Sequence, residues 1–194
     1  MGHKEDLLAG AKKCLYEKGY TRTTARDIVA ASGTNLASIG YHYGSKEALL
    51  NQAMFAAIDE VGEELVRAAT AGVGSDATPE QRFAAFWTAL LDNFEAHRHL
   101  WAATFEIYPQ IERMPEIRRS VVDGIAQART GWAQLFQDVD PAADPERARV
   151  VGSVYYALMA GVLAQWLVDP EHAPSAADLV DGLRIIAGRE PVTG

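Results

Sequence analysis

Apolar residues recur at steps of three and four along nearly the whole chain, and this regularity leaves little room for anything but helices. Leu8, Ala11 and Leu15 begin the series. Leu50, Met54, Ile58, Val61 and Leu65 continue it, followed by Phe83, Phe86, Leu90 and Phe94. Ile117, Val121, Ile125, Trp132 and Phe136 make a further stripe. So do Val151, Tyr155, Leu158 and Val162, and then Leu179, Leu183 and Ile186. Each stripe turns one face of a 3.6-residue helix toward a core. No alternating run is long enough to specify a strand. The expectation is an all-α protein of about nine helices.

The helix starts carry their own signals. Thr24 precedes Asp27 by three residues, Thr78 precedes Gln81, and Ser175 precedes Asp178. In each pair the hydroxyl accepts from a free first-turn amide, and the later side chain reaches back to the cap. Asp144 stands before Pro145 and Thr78 before Pro79, which puts proline at the one helical position where its missing N–H costs nothing. The stretches TAGVGSDATP, YPQIERMP, DVDPAADP and DPEHAPS are rich in Gly, Pro and Asp and are expected to be loops.

Charge divides the chain unevenly. Residues 1–50 hold seven Lys/Arg against five Asp/Glu, whereas residues 51–194 hold eleven Arg against twenty-one Asp/Glu. All five lysines lie within the first 46 residues. A mildly basic head on an acidic body is suited to meeting a polyanion with the head. The single cysteine, Cys14, excludes an internal disulfide and thiolate zinc sites. The N-terminus has no apolar signal-peptide core, so a cytoplasmic location is expected.

Within that head, residues 4–18 read as one helix closed by Gly19, and residues 24–31 as a short second helix. The run SGTN follows. Gly33 can take the left-handed turn of a sharp corner, and Thr34 is placed to cap a third short helix over residues 35–43. Leu36 and Ile39 are expected on its inner face, with Thr34, Asn35, Ala37, Ser38 and Tyr41 pointing elsewhere. Two short helices joined by a glycine-containing turn form the helix-turn-helix pattern, whose second helix fits the DNA major groove.

The stretch GYHYGSKEALL, with GYTRTTARDIVAASGTN before it, resembles the tetracycline-repressor (TetR) family. The resemblance is specific over residues 6–55 and beyond them rests on helix count. It implies a DNA-binding domain over residues 1–46 and a ligand-binding and dimerisation domain over residues 47–194. Tyr41, His42 and Lys46 are then phosphate-contacting residues, able to donate to phosphate oxygens, with Thr24 in the same DNA-binding set. Thr34, Asn35, Ala37 and Ser38 are placed to read bases, and Tyr43 is expected to pack inward. Gly40 departs from the family pattern, which often has a phosphate-contacting tyrosine there.

The resemblance also implies an inducer pocket in the body. An apolar cavity with a few polar groups is the general form of such a site. Phe86, Leu90, Trp101, Phe105, Tyr108, Trp132 and Tyr155 are its expected ligand-binding residues, with Glu106, His97 and His99 as candidate polar groups. The same aromatics at helical spacing are equally what a plain core requires. His97 and His99 are two residues apart and point away from each other on a helix, so no metal and no cofactor is expected.

Residues 150–168 contain no charge and meet the length rule for a membrane span. Ser153, Gln165, two glycines and two tyrosines interrupt them, no lysine flanks them, and Asp169 and Glu171 follow at once, so no membrane partner is expected. In the family the last two long helices pair with those of a second subunit. That implies dimer-interface positions at Val154, Leu158, Gly161, Gln165, Leu179 and Leu183, with Gly152 and Gly161 permitting close approach. The functional expectation is a ligand-responsive transcriptional regulator and not an enzyme: a homodimeric repressor on a near-palindromic operator of double-stranded DNA, answering to a small-molecule inducer. The rivals are a helical enzyme or carrier using the aromatic body alone, and a membrane-associated helical protein. No nucleophile–base pair, metal spacing or phosphate loop supports the enzyme.

Overall fold

Side-chain oxygens set where several of the helices begin. The computed structural model describes residues 2–189 apart from Gly72, Ser75 and Arg113, three positions that fall in two of the expected loops and lie outside the described residues. Thr24 accepts from the Asp27 amide while Asp27 accepts from the Thr24 amide, and Ser175 and Asp178 do the same. Thr78 and Gln81 exchange a matching pair of bonds, and Asp144 accepts from the Arg147 amide at 3.0 Å. These pairings satisfy amides that a helix start would otherwise leave without partners.

Among the described residues there are nine helices of eight residues or more, one four-residue helical turn and no strand. In chain order they are α1 (His3–Lys18), α2 (Ala25–Ser32), α3 (Leu36–Tyr43), α4 (Lys46–Ala71), α5 (Pro79–Ala96), α6 (Arg98–Glu106), α7 (Tyr108–Ile111), α8 (Pro115–Gln137), α9 (Pro145–Val168) and α10 (Ala176–Ile186). The expected loop YPQIERMP therefore begins as a helical turn. Pro109 can occupy a first-turn position because no hydrogen bond is asked of its nitrogen there.

The chain folds into two compact units whose boundary differs from a cut at residue 46. One holds residues 1–63 together with 96–118, so α6 and α7 join α1–α3 and the first part of α4. The other holds residues 64–95 and 119–194. In the first unit Leu7, Ala11, Cys14 and Leu15 of α1, Ile28 of α2, Ile39 of α3 and Leu49, Leu50, Ala53 and Met54 of α4 are buried. A polar knot sits beside them. The Tyr20 hydroxyl donates to Asn51 Oδ1 at 2.8 Å and lies 3.1 Å from Gln110 Oε1, which also accepts from Asn51 Nδ2 at 3.4 Å. Burial pushes the Tyr20 phenol above its ordinary range.

The second unit is built on rings. Phe136 has its centroid 5.2 Å from Phe86, 5.6 Å from Phe83 and 4.8 Å from Tyr155. Trp132 stacks on Tyr156 at 5.8 Å and Phe94 meets Trp166 at 5.6 Å. Each pair adds edge-to-face or offset attraction to its burial. α9 places Ala148, Gly152, Val162, Leu163 and Trp166 in this core. Gly152 does so because α8 crosses there: a Cβ on it would stand 2.0 Å from the Arg129 carbonyl oxygen. The close approach at Gly152 thus serves the packing of α8 on α9 within one chain, a correction to its expected place between subunits. Nothing lies within 4 Å of a Cβ built on Gly161.

The other side of α9 is apolar and exposed, with Val150, Val154 and Val168 open to solvent. By length and composition alone α9 is apolar enough to cross a membrane, and 22% of its apolar window is buried in the fold.

Candidate nucleic-acid interface

The corner between α2 and α3 is built from residues that hold the backbone still. Gly33 lies at φ 66°, ψ 22°, in the left-handed region that glycine enters without cost, and its N–H closes α2 onto Val29 O. The hydroxyls of Ser32 and Thr34 lie 2.7 Å apart across the turn. Ahead of α2, Thr23 is almost fully buried and its hydroxyl donates to Gly19 O at 2.6 Å, tying the α1–α2 turn. Nothing in the motif pattern marks Thr23.

Asn35, not Thr34, caps α3. Its Oδ1 accepts from the Ser38 amide at 3.0 Å and from the Ser38 hydroxyl at 3.2 Å. Asn and Thr both cap well, and the shift by one residue follows from Thr34 being engaged with Ser32. Two side chains trade places relative to the periodic reading. Ser38 is buried at 9% exposure, while Leu36, expected inside, is 53% exposed. At the first position of an eight-residue helix the side chain has no earlier turn to lie over, so simple spacing mislocates it.

At the far end of α3, Tyr41 is 85% exposed and packs edge-on against the His42 ring at 4.8 Å. Tyr43 turns back, donating its hydroxyl to Lys4 O at 2.7 Å, and burial pushes its phenol above the ordinary range. Lys46 opens α4 with its Nζ 3.3 Å from Thr23 O and 3.3 Å from Glu47 Oε1. The first of these anchors positions the ammonium beside α2. Thr24, in its capping box, has Oγ1 within 2.7 Å of Asp27. Lys18 donates to that carboxylate. Lys18 first, and then Thr24, hold the Asp27 carboxyl well below the usual carboxylate range.

Exposed positions Asn35, Leu36, Ala37, Gly40 and Tyr41 thus form one continuous side of α3 and its cap. The surface offers a helix end, donors at Tyr41 and His42, and a nearby ammonium at Lys46. That combination can hold phosphates while the start of the helix enters a groove.

The expected ligand set divides between the two units. Trp101, Phe105 and Tyr108 belong to the first. Trp101 is buried there, whereas Phe105 and Tyr108 are in ring contact at 6.2 Å and both exposed. Phe86, Leu90, Trp132 and Tyr155 belong to the second, where Phe86 lies 6.4 Å from Trp132 and reaches Tyr155 through Phe136. Two buried nitrogens in this unit, Trp87 Nε1 and Arg129 Nε, have no hydrogen-bond partner, and the Arg129 guanidinium lies 5.8 Å from the Tyr156 ring centre. Periodicity could not single out Arg129, a charged residue on a core-facing stretch. The unit also has a concavity of about 750 Å³ bordered by Phe83, Gln137, Tyr155, Leu183, Glu80 and Arg184.

Of the expected interface positions, Val154, Gly161 and Gln165 are exposed and Leu158 and Leu183 half-buried. Leu179 is buried against its own unit and has little surface left for a partner. Among the polar candidates of the body, His99 and Glu106 are engaged within the first unit. His99 Nδ1 is 3.1 Å from Tyr16 O and Nε2 3.0 Å from Arg22, and Glu106 accepts from the Thr21 amide at 3.0 Å. His97 packs edge-on against Tyr16 at 5.0 Å.

Known proteins supply the context for this geometry. Residues 7–53 match the profile of bacterial regulatory proteins of the tetR family, and residues 78–185 match that of the tetracyclin repressor-like C-terminal domain. The HTH-type transcriptional regulator BetI of Rhizobium meliloti (strain 1021) is 24% identical over 144 residues, covering 74% of this chain and 69% of that protein. A tetR-family transcriptional regulator of Streptomyces coelicolor superposes with a TM-score of 0.66 at 16% identity, over 100% of this chain and 93% of the other. A transcriptional regulator of Streptomyces coelicolor A3(2) gives 0.64 at 21% identity, over 95% and 97%. With both halves of the chain matched and the capped corner in place, this protein belongs to the TetR family of bacterial transcriptional regulators.

Proposed function

We propose that the chain is a homodimeric, ligand-responsive repressor whose two α3 helices enter successive major grooves of a near-palindromic operator. The observation that carries this reading is the exposed side of α3 ending in Tyr41 and His42, beside a lysine held at the start of α4. TetR-family regulators bind DNA and small-molecule ligands and act as dimers, which supports the same reading. Thr24, Tyr41, His42 and Lys46 hold phosphates. Thr34, Asn35 and Ala37 stand over the groove, and Ser38 supports them from beneath through Asn35.

The exposed apolar stripe of α9 is the surface we assign to the second subunit, through Val154, Leu158, Gly161 and Gln165, with Leu183 of α10 beside it. A lone chain leaves that stripe in water, and apolar burial is what drives association. The aromatic cluster of the second unit, with the unpartnered Arg129 nitrogen at its edge, is the proposed home of the inducer. A ligand that prefers one dimer conformation shifts the population away from the one that fits two half-sites.

Anisotropy titration of the full chain on the intergenic DNA beside its gene tests the DNA reading. Affinity should fall steeply with salt as counterions are released from neutralised phosphates. Lys46→Ala should weaken binding to all sequences alike and flatten the log–log salt slope by about 1 for each phosphate that is no longer neutralised. An unchanged slope removes Lys46 from the phosphate-binding set. Leu158→Glu tests the interface: a charge there should leave monomers or aggregates and abolish operator binding. A stable dimer of native size in sedimentation would exclude that position.

A further inference from the structure

The base-reading end of α3 lacks the side chains that read bases by paired hydrogen bonds. Leu36–Tyr43 contains no Arg, Lys, Asn, Gln, Asp or Glu. In the major groove guanine is read by Arg or Lys, adenine by Asn or Gln, and cytosine by Asp or Glu. The two polar groups nearest the groove are committed to the helix itself. Ser38 is buried with its hydroxyl on Asn35, and Asn35 Oδ1, the atom an adenine contact would need, already accepts two bonds from Ser38. What faces outward is hydrocarbon: Leu36, half exposed at the first position, and Ala37 beside it.

Gly40 is one turn after Leu36 on the same side, and a Cβ there would meet nothing within 4 Å. The helix is therefore bare where it would otherwise be held off a surface by a side chain. Short apolar groups can reach the groove floor only if the helix backbone comes close, and an open Gly40 allows that approach. The apolar group presented on that floor is the C5-methyl of thymine.

We propose that this chain reads thymine methyls. Leu36 and Ala37 pack on the C5-methyls of thymines in each operator half-site, and Gly40 gives α3 the clearance to do so. The specificity is thus for A·T pairs with a defined strand orientation, recognised by shape and apolar contact. The inference rests on the operator-binding reading above and specifies what that operator contains.

Uracil substitution tests it, because uracil differs from thymine only by the methyl group. The best-bound duplex is selected from a random pool with the full-length protein. Each thymine is then replaced singly by uracil, and affinity is measured for the wild type and for Leu36→Ala. The wild type should lose about fourfold at one or two thymines per half-site, the worth of one buried methyl-sized group, and about fifteenfold when both half-sites are changed. Leu36→Ala should keep its helicity, since Leu36 is exposed, and should lose the uracil penalty at one of those thymines while keeping it elsewhere. A selected operator with a flat uracil response overturns the thymine reading alone. A Leu36→Ala protein that retains every uracil penalty overturns the assignment of Leu36 as a reader of those methyls. Failure to select any sequence overturns the operator reading, and the thymine reading with it.

Discussion

Helices α2 and α3 are eight residues each and are held at their ends, whereas α9 is 24 residues and is held along its length. An isolated helix of eight residues is marginal in water, because nucleation costs more than so few bonds return. The short pair is therefore defined by Thr24 with Asp27, by Gly33, and by Asn35 with Ser38, all within four residues of the bonds they make. α9 has a good cap at Asp144, but its place is fixed from other helices: by Phe136 on its Tyr155, by Phe94 on its Trp166, and by the Arg129 carbonyl at Gly152. End-held helices depend on local chemistry and length-held helices on partners elsewhere in the chain. The two should fail differently when altered.

The largest effect should come from the length-held side. Phe136→Ala removes a ring that is 1% exposed and touches three others, so it should cost about 3–5 kcal/mol. In a chain of this size that lowers the melting temperature by on the order of 10 °C, read by circular dichroism. A melt that hardly moves would break the contrast outright. Gly152→Ala comes next. Alanine favours a helix by about 1 kcal/mol over glycine, yet the added carbon meets the Arg129 carbonyl and the net cost should be about 1–3 kcal/mol. Gly62→Ala in α4 is the matched control, with nothing within 4 Å of the added carbon and no place in the proposed interface, and it should melt no lower than the parent.

The end-held side should respond more mildly and with pH. Thr24→Ala should cost about 1 kcal/mol, the usual value of a lost cap. The Asp27 carboxyl, whose folded value is depressed, contributes stability that is complete above its unfolded value of about 3.9 and declines as the pH falls below it. The advantage of the wild type over Asp27→Asn in urea midpoints should therefore be full at neutral pH and shrink below about pH 4. An advantage that persists undiminished at about pH 2.5 would show that the depressed titration of Asp27 is not what supplies it. The smallest expected change is a gain: Gly40→Ala adds a methyl to open space in an end-held helix and should stabilise it by about 0.5–1 kcal/mol. Together with weaker operator binding, that gain would separate what the helix needs from what the groove needs.

The same distinction decides what the sequence can disclose. Caps at Thr24, Thr78, Asp144 and Ser175 are legible because the interacting atoms are three residues apart. The corner at Gly33 is legible because only one residue type enters that conformation freely. Leu36 and Ser38 lie on the opposite sides from those the spacing predicts, because a two-turn helix has too few repeats for periodicity to fix its phase. The aromatic set is legible as apolar, but its division between two units is not, since ring spacing on a helix says nothing of which helix it will meet. Arg129 and Thr23 carry no sequence signal of their own, because their surroundings are made by residues distant in the chain or by main-chain carbonyls.

The contact of Gly152 with the Arg129 carbonyl has a mechanical consequence. Main-chain atoms meeting with no side chain between them leave no compliant layer, and packed interiors transmit strain rather than absorb it. α9 is in effect indexed to α8, like a shaft located by a key: it can neither slide along α8 nor roll on it without that key being withdrawn. Any tilt of α8 therefore carries α9 with it, and the stripe of Val150 and Val154 turns too.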